Sequence, residues 1–391
     1  MNEILDRQII EMVDMSFDCS CGKRHAVDIR KIVMDRQIGS NVLESILPFK
    51  TGRILMVGDC NTFTASGNKI RELLDAEGYC YKCLVFESHQ TLVPDEKAVG
   101  QLIIEADEDI SLLLVVGSGT LNDLGRFVSH KLGIPYMIVG TAPSMDGYAS
   151  TVSPLIVQGR KTTYNAVYPV AVFADLEAMV NSPQEMICAG FGDILGKYTA
   201  LADWELSVLI NGEYFCPTCE ILIRKALEKC TTNREGIAAR NENAIRYLTE
   251  ALILSGIAIG LAGTSRPASG AEHHLAHYWE NDALARGVEH PLHGNSVGVG
   301  TVVISYIYKM VKQKYSLEIK TPDPLSVREH LKAVGAAENP FDLGIGKKVF
   351  TESILHAKEV RPRYTVLHLA EKLGILEEAA LRLTDMFYGQ R

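Results

Sequence analysis

Between residues 53 and 140 the chain alternates short apolar runs with amphipathic segments. The apolar runs predict buried strands, and the segments between them predict helices; the strands cover 54–58, 81–86, 111–117 and 136–140, and the helices 69–77, 96–106 and 120–132. Strands that are apolar throughout, each followed by a helix, indicate a parallel sheet covered on both faces. Ligands of such sheets bind beyond the carboxyl ends of the strands. The loops that follow these strands are therefore the first places to look for function.

The strand pattern stops near Asp175. Residues 151–175 predict a hairpin-like return with Lys161 near its tip, which closes the sheet domain. Helical spacing follows in eight segments: 185–210, 216–230, 242–261, 271–285, 296–312, 325–334, 348–357 and 377–388. A chain of 391 residues is also longer than a single hydrophobic core usually supports. The sequence therefore predicts an α/β domain over residues 1–178 and an all-helical domain over residues 179–391.

Charge and composition exclude several classes of function. A net charge of −9 with no basic patch argues against nucleic acid as a partner. The acidic N-terminal residues do not resemble a signal peptide, and the longest apolar run, 251–262, is too short to span a bilayer. Nine cysteines, an odd number, indicate reduced thiols rather than a disulfide framework. We expect a cytoplasmic protein without a membrane span.

Two groups of cysteines require a choice of interpretation. The stretch FDCSCGKRHAV, with Cys19, Cys21 and His25, could hold a metal, but it also predicts a small β-hairpin that turns at Gly22, and we favour the hairpin. Two CxxC pairs, at 80/83 and 216/219, could form a zinc ribbon. They lie far apart and each falls in an apparently regular element, so we do not favour a ribbon.

The densest candidate site is the stretch 264–294, which holds five of the eleven histidines: His273, His274, His277, His290 and His293. Neutral imidazole is the commonest ligand of transition metals, although a helix histidine is often only solvated. His273 and His277 lie one helical turn apart, and His293 lies at the entrance to the next helix. We predict His273 and His293 as metal ligands, with His277 behind them or facing substrate.

An acidic residue in an apolar helix supplies a third ligand. Asp193 lies between glycines in the segment GFGDILGK, where a carboxylate is costly to bury unless it is paired or binds a cation. An Asp/His₂ set with open positions accepts zinc, nickel, manganese or iron. The alternative is an ion pair between Asp193 and Lys197, one turn further along the helix.

Three strand-end loops are candidates for cofactor binding. Asp59, directly after the first strand, can accept hydrogen bonds from a ribose hydroxyl. In the segment VGSGTLND, glycines and a helix N-terminus can receive a phosphate, although a tight turn without a ligand explains the same residues. The loop 140–150 is rich in small and hydroxyl residues, which suits close contact with a ligand.

The motifs GSGTLND, TAPSMDGYAS, FADL, AGFGDILGK, LADWE, SRPASGAEHH and LHG carry a resemblance when taken in order and spacing. The chain resembles the sn-glycerol-1-phosphate dehydrogenases, above all the bacterial form found with arabinose genes. That family lies within the iron-dependent alcohol dehydrogenase and dehydroquinate synthase-like superfamily. The resemblance covers roughly residues 15–300.

The resemblance implies a Rossmann-like N-terminal domain, a helical C-terminal domain and a cofactor, NAD or NADP, in the cleft between them. It implies one divalent metal ion (zinc, nickel or iron) on Asp193, His273 and His293, with His274 as the competitor of His273. Asp146, Asp193 and His277 would lie near substrate. The cofactor contacts would be Asp59, Gly117, Ser118, Gly119, Thr120, Leu121, Thr141, Ser144 and Ser150.

The reaction implied is the reversible reduction of dihydroxyacetone phosphate to sn-glycerol 1-phosphate, by an enzyme expected to be a homo-oligomer. Arg266 and Lys161 are candidates for the phosphate of this three-carbon substrate, although Arg266 could equally fix its own loop. Asp59 would repel a 2′-phosphate, which favours NAD. The alternatives are a sugar-phosphate cyclase, a dehydrogenase of an unphosphorylated polyol such as glycerol, a non-catalytic metal-binding protein, and a hydrolase with the GxSxG motif at 294–298.

Overall fold

The computed structural model describes residues 3–87 and 92–389. Within them, ten strands form one large sheet and two hairpins. The strands are β1 (Met15–Asp18), β2 (Arg24–Val27), β3 (Lys31–Asp35), β4 (Arg53–Asp59), β5 (Tyr81–Phe86), β6 (Ile110–Gly117), β7 (Tyr136–Gly140), β8 (Val152–Val157), β9 (Arg160–Asn165) and β10 (Ala171–Asp175).

The large sheet has the order β3-β10-β7-β6-β4-β5, and all its pairs are parallel. This confirms the parallel sheet predicted from the apolar runs. The central strand β6 is buried along nearly its whole length because both of its faces are covered. The sequence analysis missed β3 at the edge of the sheet, where only alternate residues such as Ile32 and Met34 are buried.

Helices connect the strands and cover both faces of the sheet. They are α1 (Gly39–Ile46), α2 (Cys60–Thr62), α3 (Asn68–Ala76), α4 (Glu96–Glu105) and α5 (Gly119–Leu132). A π-helical turn at Phe63–Gly67 joins α2 to α3. The three predicted helices of this half are confirmed as α3, α4 and α5.

The first predicted hairpin is present, and the second is present only in part, because residues 171–175 of the predicted return form β10, a parallel strand of the large sheet. Strands β1 and β2 are antiparallel, and Gly22 takes a positive φ of 84° in the turn between them. Strands β8 and β9 form the second hairpin, with Gln158 and Gly159 at positive φ in the tip, just before Lys161. This second hairpin crosses to the helical half, where Lys161 contacts Glu280 and Asn281.

Every regular element described after β10 is helical. The helices are α6 (Leu176–Asn181), α7 (Gln184–Asn211), α8 (Pro217–Thr232), α9 (Arg234–Ala238), α10 (Glu242–Ala262), α11 (Ala271–Arg286), α12 (His293–Lys314), α13 (Pro324–Ala333), α14 (Lys347–His356), α15 (Val366–Lys372) and α16 (Leu376–Tyr388). The eight predicted helices are confirmed, while the short α6, α9 and α15 were missed. The division predicted between residues 178 and 179 falls inside α6 and stays a prediction.

Helix α10 shows why an apolar segment alone does not identify a membrane span. Its 21 residues are long and apolar enough to cross a bilayer, but 72% of the apolar window is buried inside the protein. Ile253 and Ile257 are fully buried in a core that α10 shares with α8 and with the sheet. Among the described residues this is the one helix that meets the length and composition of a span.

Candidate metal and cofactor site

Glycines in α7 let two other backbones approach Asp193. A Cβ at Gly190 would overlap the carbonyl oxygen of Pro143, and a Cβ at Gly192 would overlap that of Gly294 at the start of α12. No larger residue fits at either position without moving backbone. The glycines that flank Asp193 therefore bring the loop after β7 and the first turn of α12 against its helix.

Asp193 and Asp146 share one buried lysine. The Lys197 ammonium lies 2.7 Å from Asp193 Oδ1 and 2.7 Å from Asp146 Oδ2. The Asp146 backbone N–H donates to Asp193 Oδ2 at 3.0 Å, and the Ser255 hydroxyl donates to Asp146 Oδ2 at 2.8 Å. The ion pair between Asp193 and Lys197, considered above as an alternative, is thus present, and it leaves room on the same carboxylate for further contacts.

The two carboxylates respond differently to this environment. Burial, and next the charge of Asp146, raise the pKa of Asp193. Burial also acts to raise the pKa of Asp146, but the Lys197 ammonium outweighs it and holds that pKa below its usual range. Two buried carboxylates and one ammonium leave an excess negative charge, which favours a second cation beside Asp193.

His273 lies beside Asp193, and His293 lies beside His273. His273 Nε2 is 3.7 Å from Asp193 Oδ1, and the rings of His273 and His293 have centroids 5.2 Å apart. Their Nδ1 atoms are held from behind, by Glu272 at 2.8 Å and by Glu280 at 2.7 Å. Carboxylates that hold Nδ1 leave Nε2 as the nitrogen available for a metal. Asp193 on α7, His273 on α11 and His293 on α12 are thus neighbours in succession, and their binding of one metal ion stays a prediction.

Glu280 contacts two histidines and a lysine of the site, and it was not predicted from the sequence. Its carboxylate contacts Nδ1 of His277 at 3.0 Å, Nδ1 of His293 at 2.7 Å and the Lys161 ammonium at 2.8 Å. Burial opposes its ionisation, but the Lys161 charge and the contacts with His293 and His277 together outweigh burial and hold the pKa of Glu280 well below its usual range. The signal was present, since an acid three residues after His277 lies on the same helix face.

The other histidines of this stretch differ from His273 and His293. His277 directs Nε2 at the Arg361 guanidinium, 2.9 Å away, and burial followed by the charge of Arg361 lowers the pKa of His277 well below its usual range. His274 is fully buried, and neither ring nitrogen has a hydrogen-bond partner in the part of the chain that is described. His290 is half-buried and contacts the carbonyl oxygen of Pro291 at 2.9 Å.

The cationic residues near the site are Lys161 and Arg361, whereas Arg266 is engaged elsewhere. Arg266 is buried against Glu213, with contacts of 2.8 and 2.5 Å, and donates to the carbonyl oxygen of Tyr364. Its predicted role at the phosphate is therefore not supported, and it fixes its own segment instead. Arg361, not identified from the sequence, donates to Thr163 Oγ1 at 2.9 Å. It forms no ion pair within 4.0 Å among residues 3–87 and 92–389.

The turn between β6 and α5 forms the neighbouring part of the site. Ser118, Gly119 and Thr120 are partly exposed there, and the Ser118 side chain does not cap the helix. The first N–H groups of a helix are left without intrahelical partners, so this turn can receive a phosphate. Gly117 and Leu121 are buried, and a Cβ at Gly117 would overlap the Leu121 side chain.

The loop after β7 connects this turn to the metal-binding residues. The Met145 side chain lies 3.2 Å from the position that a Cβ at Gly119 would take, and the next residue, Asp146, pairs with Lys197. Ser144 and Ser150 are buried in the same loop, and the Ser150 hydroxyl accepts from the Val152 N–H at 3.2 Å. The predicted cofactor contacts of these serines stay predictions.

Asp59 and Thr141 lie at the carboxyl ends of β4 and β7. Asp59 Oδ1 caps α2 by accepting from the Thr62 N–H at 2.8 Å. The buried Thr141 donates its N–H to the Gly117 carbonyl oxygen at 3.2 Å, which joins the ends of β6 and β7. Both residues therefore stand at the sheet edge where ligands of parallel sheets bind.

The hydrolase interpretation is wrong. Ser296 is a fully buried residue inside α12, and its hydroxyl has no hydrogen-bond partner among the described residues. A nucleophile elbow requires a strand before the serine and an exposed hydroxyl at a sharp turn. The GxSxG spacing at residues 294–298 instead reflects small residues where α12 packs closely on α7.

The fold and the convergent Asp and His residues define the class of iron-containing alcohol dehydrogenases. Residues 37–183 match the family model described as iron-containing alcohol dehydrogenase. A crystal structure of glycerol dehydrogenase from Schizosaccharomyces pombe has the same fold, with a TM-score of 0.67 and 17% identity over 92% of this chain and 91% of that one.

Curated relatives narrow the class to one family. The chain is 37% identical to glycerol-1-phosphate dehydrogenase [NAD(P)+] of Halalkalibacterium halodurans, over 90% of this chain and 94% of the relative. It is 36% identical to the enzyme of the same name from Geobacillus stearothermophilus, over 96% of this chain and 100% of the relative. The chain belongs to the glycerol-1-phosphate dehydrogenase [NAD(P)+] family, as the motifs indicated.

Proposed function

We propose that this chain catalyses the reversible, NAD(P)H-linked reduction of dihydroxyacetone phosphate to sn-glycerol 1-phosphate with the help of a divalent metal ion. The observation that carries the proposal is the position of the loop after β7. Its Met145 packs on the β6–α5 turn, and its Asp146 reaches the carboxylate and histidine group on α7, α11 and α12. A cofactor on the turn and a substrate at the histidines would therefore be neighbours.

Asp193, His273 and His293 fit a catalytic metal by the chemistry of their donors. Burial, and next the charge of Lys197, lower the pKa of His273 well below its usual range, so that its ring is neutral, as coordination requires. Each oxygen of Asp193 accepts one hydrogen bond, from Lys197 or from the Asp146 N–H, and a carboxylate oxygen has a second lone pair for a cation. Three protein ligands leave a position open for substrate.

A different donor set, His277, Glu280 and His293, is the one near this site whose ligand atoms all lie within 4.8 Å of one another in the described chain. Two observations disfavour it as the metal site. Glu280 already holds Nδ1 of both histidines and the Lys161 ammonium. The Nε2 of His277 faces a guanidinium, which would repel a metal ion. Glu280 thus positions the ligand His293, while His277 belongs to the substrate side.

The chain's own groups account for the other requirements of the reaction. A metal bound at Asp193 would polarise the ketone and stabilise the negative charge that develops on its oxygen. Lys197 and Ser255 fix the position of the Asp146 carboxylate. His277, with its Nδ1 oriented by Glu280, is the candidate for moving a proton to or from the substrate.

Arg361 and Lys161 provide the positive charge for the substrate phosphate. Arg361 lies beside His277, and among the described residues its hydroxyl neighbours are Thr163 and Ser269. Guanidinium groups bind phosphate with two parallel hydrogen bonds, and a half-buried guanidinium without a carboxylate partner is suited to an anionic ligand. Lys161, on the β8–β9 hairpin, is held near the site by its ion pair with Glu280.

The first experiment is a comparison of NADH oxidation with dihydroxyacetone phosphate and with unphosphorylated dihydroxyacetone, using metal-reconstituted protein. We expect turnover confined to the phosphorylated ketone, and its loss in Asp193→Asn, where the ligand oxygen is kept but its charge is removed. A protein that binds NAD and metal yet oxidises no NADH would overturn the proposal in favour of a cyclase, which uses NAD catalytically. Chiral analysis of the product tests the sn-1 configuration.

Two further proposals rest on the sequence rather than on the site. A homo-oligomer, dimer or larger, is expected and is tested by the mass of the native protein in solution. A cytoplasmic location is expected because nine cysteines, an odd number, do not suggest a disulfide framework. Recovery of the protein in a membrane or secreted fraction would contradict it.

A further inference from the structure

Four metal-binding side chains converge outside the site described above. Cys19 and Cys21 come from the turn after β1, His25 from β2, and Cys216 from the N-cap position of α8. Their ligand atoms all lie within 4.8 Å of one another, although Cys216 is about two hundred residues from the others in sequence. Such a convergence of three thiols and one imidazole is the ligand set of structural zinc sites.

The separations agree with a single tetrahedral centre. Zinc bonds of about 2.3 Å to sulfur and about 2.0 Å to nitrogen place two sulfurs about 3.8 Å apart, and a sulfur and a nitrogen about 3.5 Å apart. Cys19 Sγ and Cys216 Sγ are 3.8 Å apart. The same His25 nitrogen, Nε2, lies 3.2 Å from Cys21 Sγ and 3.4 Å from Cys216 Sγ. Because one nitrogen lies close to both sulfurs, a single metal ion placed between them could bind all three atoms.

The surroundings hold the ligands in place. His25 and Cys216 are buried, and the His25 ring packs edge-on against Phe17. Hydroxyls lie within hydrogen-bond distance of two sulfurs, Thr218 Oγ1 at 3.2 Å from Cys19 Sγ and Tyr214 at 3.2 Å from Cys21 Sγ. Partners of this kind stabilise thiolates and orient ligands.

Position in the helix also favours the thiolate of Cys216. It lies at the N-terminus of α8, where the helix dipole and free N–H groups stabilise negative charge.

A disulfide is the competing explanation, and it explains less. It would use Cys19 and Cys216, the sulfurs that lie 3.8 Å apart, and would leave the approach of Cys21 and His25 to them without a reason. The hairpin interpretation of FDCSCGKRHAV does not compete, because the hairpin is what brings Cys19, Cys21 and His25 to one side.

We propose that Cys19, Cys21, His25 and Cys216 bind one zinc ion that joins the N-terminal hairpin to helix α8. Four protein ligands fill a tetrahedral site, so this ion has no open position for substrate and its role is structural. Because a metal ligated in the folded chain adds its binding free energy to folding, the site stabilises the packing of residues 15–27 on the helical half. This site does not depend on the proposed catalytic activity.

The test uses the full-length protein, purified under reducing conditions and loaded with cobalt. Thiolate ligands give cobalt an intense near-ultraviolet charge-transfer absorption, whereas a site with only carboxylate and imidazole ligands gives none. We expect this absorption in the wild type and in Asp193→Asn, together with one metal equivalent more per chain in the wild type than in Asp193→Asn. The wild-type spectrum needs no variant, so a variant that fails to fold does not affect it.

Two matched variants locate the signal. Cys216→Ala should lose the charge-transfer absorption and one metal equivalent, and its melting temperature should fall by several degrees. Cys230→Ala removes another fully buried thiol of the same helix, outside the cluster, and should keep the absorption. Absence of the absorption in the wild type, its survival in Cys216→Ala, or recovery of Cys19 and Cys216 as a disulfide that excludes metal would overturn the proposal.

Discussion

The histidine cluster around Asp193 and the cysteine cluster around Cys216 are both buried, yet they are built for different tasks. The first has nitrogen and oxygen donors, acidic groups behind its histidines, and the cations Lys197 and Arg361 beside it. The second has three thiols and one imidazole, with hydroxyl groups as neighbours. Burial therefore does not distinguish a catalytic from a structural metal site. The number of protein donors and the surrounding charge distinguish them.

The largest expected effect is that a substitution in the histidine cluster lowers turnover, whereas a substitution in the cysteine cluster lowers stability. Asp193→Asn should lower turnover with dihydroxyacetone phosphate by at least about 10²–10³-fold, as when one charged group at a reacting oxygen is removed. Cys216→Ala should keep turnover per folded molecule and lose thermal stability instead. Steady-state kinetics and thermal melts of both variants measure the two effects. If Cys216→Ala also lost turnover while fully folded, the cysteine cluster would be required for activity, and the two clusters would not have separate roles.

Next in size is the effect of Arg361→Ala on substrate affinity. Loss of a charged hydrogen bond to phosphate costs about 1.5–3 kcal/mol, which should raise the KM for dihydroxyacetone phosphate by about 10–100-fold. The matched control is Arg382→Ala, which removes an exposed arginine paired with Glu378 on α16. Inhibition by inorganic phosphate should weaken in parallel. An unchanged KM for the phosphorylated ketone would show that Arg361 does not bind the phosphate.

A smaller effect should follow from filling the close approach of α7 and α12. Gly192→Ala places a methyl group into the Gly294 carbonyl and should cost about 1–3 kcal/mol in the free energy of unfolding. It should also weaken metal binding at His293 while the cobalt–thiolate absorption persists. Gly100→Ala is the control, because a Cβ there meets no atom within 4 Å in the middle of α4. Equal stabilities of the two variants would contradict the tight packing.

The last prediction concerns pH and Asp203, whose carboxylate accepts from the N–H groups of Ala271 and Val366 and from the Tyr308 hydroxyl. Burial, and next the charge of Glu272, raise its pKa to about 7. The folded protein therefore holds this proton more tightly than the unfolded chain, and stability falls as the pH rises from about 4 to about 7.

Asp203→Asn removes this titration. Between these pH values the wild type should lose stability relative to the variant, by at most about 1.4 kcal/mol per pH unit. Urea unfolding of both proteins at a series of pH values measures the difference. Parallel stability curves would show that Asp203 titrates alike in the folded and unfolded chains.

The elements that sequence reasoning found and missed follow a physical pattern. Strand β6 and helix α5 were found because a continuous apolar run and a helical period are local properties. The edge strand β3 and the short helix α15 were missed because each is brief and is stabilised by its neighbours in space. The role of Arg266 stayed open because its partner Glu213 is more than fifty residues away in sequence.

By itself, the sequence determined the order of strands and helices, the family motifs and the residue types gathered at residues 264–294, since these depend on near neighbours along the chain. Only the tertiary structure decided that Glu280 holds two histidines while Arg361 faces a third, and that Cys216 meets the hairpin cysteines. The physical reason is that charge pairing and metal geometry act over a few ångströms in space. Residues hundreds of positions apart become partners only after the helices have packed.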